Sequence, residues 1–181
     1  MGVGAIIGAV LWLLALGDLA ATAIAVSPDR GVTVGLSPIV PLAIALLLFC
    51  AAIVTLERRA TVDLRLADLI GDLSIGTATG LFAVAAVLDL PGLLGPGFVL
   101  LLVGSVIFGI AGLNGKRRPR WGSALVGIGA GGLLACFLLA AALGVGRLSE
   151  FAQTALLSLL LFATGWAWLG VHLALARPTV R

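Results

Sequence analysis

Charge is scarce in this chain: Asp, Glu, Lys and Arg make up 10% of its 181 residues, against 61% hydrophobic residues. A soluble domain of this size cannot hide so much apolar surface in one core, so a soluble globular protein is excluded and the bilayer becomes the solvent. Histidine occurs once, at His172, and cysteine twice, at Cys50 and Cys136. With no second His, Cys or carboxylate at ligand spacing, His172 does not point to a metal centre. Each cysteine falls inside an apolar run without a CxxC partner, which leaves both as small apolar residues and gives no disulfide framework. Nucleophile constellations are missing too. There is no GxSxG, no Ser with a histidine at matching depth, no second deeply placed acid to form a dyad, and no Gly-rich loop between strand and helix. Neither an enzyme nor a cofactor is expected.

What the chain does have is six apolar segments, at 3–26, 39–56, 70–90, 97–114, 122–145 and 152–176. Six spans of about 20 residues take roughly 120 residues, and the remainder is enough only for short loops. The expected fold is therefore all-α: one polytopic membrane domain over 1–181 with six transmembrane helices. The N-terminus carries Ala23-Ile24-Ala25, which has the small-x-small form of a signal cleavage site, but it lacks a basic n-region. The run 2–26 is long enough to span, so a retained first helix is expected. Ile6 stands where a myristoylation motif needs Ser or Thr.

The net charge of +3 is not a nucleic-acid signal, because the basic residues sit beside spans, where they set orientation. Arg58, Arg59, Arg65, Lys116, Arg117, Arg118, Arg120, Arg177 and Arg181 fall on the side of the termini, and only Arg30 and Arg147 on the other. Both termini are therefore expected in the cytoplasm of a plasma-membrane protein. The outer loops hold turn formers: Ser27-Pro28-Asp29-Arg30-Gly31, Pro91-Gly92 with Pro96-Gly97, and Gly144-Val145-Gly146. On the inner side, 57–74 is the longest connection, with Leu66, Leu69, Ile70 and Leu73 at helical spacing between Asp63, Arg65, Asp68 and Asp72. Two readings fit it. Either an amphipathic turn lies at the interface, or span three begins early and its first turn carries the acids, where the helix dipole favours them.

A repeat emerges when the odd spans are compared. GAIIG at 4–8, GTATG at 76–80 and GIGAG at 127–131 stand at similar places in three hairpins, about 3–59, 70–118 and 122–177, each ending in arginine. Glycines four apart share one helix face and let two backbones approach, the main source of helix association in lipid. Gly4, Gly8, Gly76, Gly80, Gly127 and Gly131 are thus the expected packing glycines, and the odd helices the expected inner set. With Pro28 and Pro91 near outer turns, basic ends after even helices, and Trp121 six residues before Gly127, the chain resembles the HdeD-like six-span membrane proteins. These are built from a repeated two-helix unit. The third hairpin departs from the pattern, having no Pro at its outer turn. The resemblance implies a stress-associated membrane protein without established chemistry, and it transfers no catalytic residue.

Asp18 is the one acid deep inside a span, and an ionisable group there is by default a functional-site hypothesis. Gly4, Gly8, Leu11, Ala15, Asp18 and Thr22 follow helical steps along one face, which turns Asp18 toward the bundle. It serves either as an interhelical hydrogen bond (or a protonated carboxyl paired with Thr22), as a proton or cation site, or as an ion pair to Arg30. His172 lies near the opposite end in depth and reads as an interfacial side chain beside Trp168. Trp121 suits an aromatic belt, whereas Trp12, Trp166 and Trp168 lie deeper. Trp166 and Trp168 are two apart and face roughly opposite ways, so at most one lines a cavity. Ser105, Ser158 and Thr164 read as helix–helix glue.

Two functions fit these residues. The first is a non-enzymatic membrane scaffold of HdeD-like type, whose partners are the bilayer and, in its plane, a second copy or another membrane protein. The second is a small solute or ion transporter or channel, or the membrane subunit of an importer, with Asp18 in its path. A filled bundle axis favours the first and an aqueous cavity reaching Asp18 the second. Nucleic acid is not an expected partner of either.

Overall fold

The computed structural model describes residues 2–25, 39–59, 66–88, 90–114, 118–143 and 148–175; at 16–25, 39, 58–59, 91, 148–150 and 152 it describes the backbone alone. Among these residues there are six α-helices and no strand: α1 Gly2–Ala25, α2 Ile39–Arg59, α3 Leu66–Leu88, α4 Leu94–Asn114, α5 Arg120–Leu143 and α6 Leu148–Leu175. Five stretches, Val40–Glu57, Leu66–Leu88, Leu94–Asn114, Arg120–Leu143 and Gln153–Leu175, are long and apolar enough to cross a membrane. Without water to satisfy the backbone, helices are the self-sufficient solution for such segments. Proline is placed where it costs nothing. Pro41 and Pro96 each sit third in their helix, inside the first turn, where the missing N–H has no intrahelical acceptor to lose.

The connection between α3 and α4 is short. A single 3-10 turn, Pro91–Leu93, carries the reversal, and the Leu90 amide returns to the Ala85 carbonyl at 3.1 Å. Pro96-Gly97, expected in this loop, belongs instead to the first turn of α4. Of the two readings of 57–74, the early start is met in part: α3 begins at Leu66, with Asp68 but not Asp72 in its first turn. Its amphipathicity is inverted. Asp68, Gly71, Ile75, Ala78 and Phe82 face inward, while Leu66, Leu69, Ile70 and Leu73 are exposed.

The helices form a ring of chain neighbours. Each packs on the next, α6 returns to α1, and α2 also touches α6 across the middle. No two odd helices pack on one another among the described residues, so they are not an inner set. Within the ring α1 packs on α2, α3 on α4 and α5 on α6, and the contacts of α2 with α3, α4 with α5 and α6 with α1 join these pairs. The reason lies in the glycines that meet. Gly71 approaches Gly104 and Phe108 between α3 and α4, and Gly109 meets Gly127 so closely that a Cβ on Gly109 would stand 2.5 Å from the Gly127 Cα. Gly165 of α6 likewise meets Val126 of α5. These contacts join odd to even helices, and most of the glycines in them lie outside the GxxxG repeats.

Aromatic rings fill the centre. Phe49 of α2 stacks on Trp166 of α6 with ring centres 4.4 Å apart, and Trp12 of α1 lies 5.3 Å from Phe162 of α6. Phe108 of α4 reaches Trp166 at 5.4 Å. Trp12, Phe49, Phe108, Phe162 and Trp166 are all 0% exposed.

Candidate functional site: a buried charge cluster

At the end of the bundle where α2 finishes and α3 begins, one arginine is enclosed. Arg118 lies in the short connection between α4 and α5, just before Pro119, whose carbonyl accepts the Ser123 amide at 3.1 Å as α5 starts. Its side chain is 1% exposed. The guanidinium carbon stands 4.1 Å from the centre of the Phe108 ring, a cation–π geometry. Around it are carboxylates from two helices. Glu57, in the last turn of α2, accepts from Nη2 at 2.6 Å and from Nε at 3.2 Å. Both oxygens of Asp72 on α3 accept from the same Nη2, at 3.0 and 2.9 Å. Asp68, one turn earlier on α3, places Oδ1 3.5 Å from Nη1.

An isolated charge in an apolar interior is prohibitively costly, so such groups persist only when paired and hydrogen-bonded. Here one planar guanidinium serves three acids, a task its fork of donors suits better than a lysine ammonium would. The result is a tie between α2, α3 and the α4–α5 connection. It is over-subscribed on one side: Nη2 has two protons and faces three carboxylate oxygens.

Beside the cluster a cleft of about 450 Å³ opens between α2 and α3. Glu57 and Asp72 line it together with Ile53 and Val54 of α2, Leu69 and Leu73 of α3, and Cys50 and Gly76. Cys50 Sγ lies 3.2 Å from Thr79 Oγ1. Because Thr79 gives its own proton to the Ile75 carbonyl at 2.8 Å, the thiol is the donor. Among the described residues no group of three His, Cys, Asp or Glu stands at metal-ligating distances. The arrangement holds paired charge inside the bundle, at the edge of an otherwise aliphatic cleft.

The residues singled out in the sequence are dispersed. Asp18 lies on α1, and its side chain is outside the described set, as are Arg30, Arg147 and the loops 26–38 and 144–147. His172 is exposed near the end of α6. Trp166 is buried and Trp168 52% exposed, as their spacing requires, while Trp121 is 77% exposed. Gly8 packs on Phe49 and Gly4 on Leu48 of α2, and Gly127 packs on Gly109 of α4. Gly131 touches only the tip of Val106. Gly76 and Gly80 meet nothing within 4 Å, being on the outward face of α3. Thr164 is exposed, whereas Ser105 and Ser158 are buried.

Sequence reasoning missed the cluster itself. Arg118 counted as one of several loop charges, and Asp68 and Asp72 as dipole or interface acids. The signal available was the four-residue spacing of Asp68 and Asp72, which puts both on one helix face level with Glu57; nothing selected Arg118 from its basic neighbours. Comparison with known proteins adds no assignment: no family model, no curated protein and no solved structure matches this chain. The bundle, apolar outside and charged within, is compatible with an integral membrane protein.

Proposed function

We propose that the chain is a six-span, non-enzymatic integral membrane protein of the HdeD-like type, a scaffold whose partners lie in the plane of the membrane, with both termini in the cytoplasm. The observation that carries this reading is the filled axis. Trp12, Phe49, Phe162 and Trp166 interlock where a conduit would run, and all are fully buried. The exposed Val, Leu and Ile side chains on every helix with described side chains suit contact with acyl chains.

The test is flux together with topology. Proteoliposomes of the parent chain should pass protons and potassium no faster than empty vesicles; flux above that level overturns the scaffold reading. Cysteine labelling from outside the cell should reach positions in 28–36 and miss those in 115–120. The reverse pattern overturns the orientation.

A further inference from the structure

The cleft between α2 and α3 combines two properties that the scaffold reading does not use. Its walls are aliphatic, from Ile53 and Val54 on one side to Leu73 on the other, and Val54 and Leu73 are 49% and 61% exposed. The cleft is thus open on the outward face of the bundle, the face an apolar molecule dissolved in the bilayer would meet. One end carries acid. Asp72 lines the cleft, with its side chain 16% exposed, and both of its oxygens depend on the single Nη2 that also serves Glu57. With two protons for three oxygens, Asp72 is served by less than one N–H per oxygen. A positive charge arriving from the cleft would complete its shell.

We propose that this cleft binds a lipophilic monocation, its charge at Asp72 and its apolar body against Ile53, Val54 and Leu73. Size agrees: about 450 Å³ falls within the range of small-molecule sites. So does length, since Cys50 at the far end precedes Glu57 by seven residues, about 10 Å along a helix. Charge complementarity selects among occupants. An anionic lipid headgroup would meet carboxylates, and a divalent metal ion would need a shell of oxygens where this cleft offers methyl groups. A neutral hydrocarbon would leave Asp72 as it is.

Tetraphenylphosphonium, a compact apolar cation, tests this directly on the purified full chain in a neutral maltoside detergent. Binding of the radiolabelled cation should saturate, and tetraphenylsilane, of nearly the same shape but uncharged, should fail to displace it. Gly76→Leu adds bulk to the cleft lining at a position where a Cβ meets nothing within 4 Å. This variant should keep the parent's thermal midpoint yet bind the cation about tenfold more weakly or worse, and Asp72→Asn should weaken it as much. Absence of saturable binding to the parent, or displacement by the silane as effective as by unlabelled tetraphenylphosphonium, overturns the proposal without recourse to any variant. A folded Gly76→Leu chain with parental affinity overturns the placement in this cleft.

Discussion

The charged end and the aromatic centre of this bundle are held by opposite means. Around Arg118 the contacts are few, directional and mutually dependent: a guanidinium shared by Glu57, Asp68 and Asp72. Around Trp166 they are many and individually weak, ring against ring with Phe49, Phe108 and Phe162. Lipid removes most of the hydrophobic drive between helices, so association rests on close packing and on polar contacts. The two regions show these means side by side, with Phe108 touching both. At the centre, one lost contact leaves the others intact, whereas at the charged end one lost partner leaves buried charge behind.

The largest expected effect follows from that dependence. Arg118→Met should cost about 3–5 kcal/mol in reversible unfolding, because three acids lose their shared partner. Adding Glu57→Gln, Asp68→Asn and Asp72→Asn to it should recover most of the loss. An Arg118→Met chain as stable as the parent would mean that the cluster does not hold the helices together. Next comes a comparison of two glycines. Gly109→Leu should destabilise by about 1–3 kcal/mol through overpacking against Gly127, while Gly80→Leu should stay within about 0.5 kcal/mol, as outward-facing positions do. Equal effects at the two sites would break the assignment of faces. This reverses the expectation drawn from GxxxG spacing, in which Gly80 was a packing position.

At the aromatic centre Trp166→Phe should change stability by only about 1 kcal/mol. The lost ring volume is partly offset by removing a buried N–H that has no acceptor among the described residues. A loss as large as that of Arg118→Met would show the indole nitrogen to be bonded and the two regions to be alike. The smallest effect is expected at Asp18. If its role is an interhelical hydrogen bond, Asp18→Asn should match the parent within about 1 kcal/mol and leave vesicle flux unchanged. A folded variant that abolishes a pH- or ion-dependent flux seen in the parent would replace the scaffold reading with transport.

Composition and periodicity alone made the helices legible. Segments with Leu, Ala and Val in runs of about 20 have no other way to satisfy their backbone in lipid, and each expected boundary lies within four residues of a described helix end. The opposite facing of Trp166 and Trp168 was legible for the same reason, since two residues turn a helix by roughly half a revolution. The partner of each face was not. A glycine pair four apart reads identically whether it meets another backbone, as Gly8 does at Ala45, or nothing, as at Gly76 and Gly80. Local sequence determines that a helix forms and where its apolar and small residues lie. Which arginine is enclosed, which glycines meet and where a cleft is left open are long-range facts, decided only when six helices close into one ring and Arg118 is carried to Glu57 across 61 residues of chain.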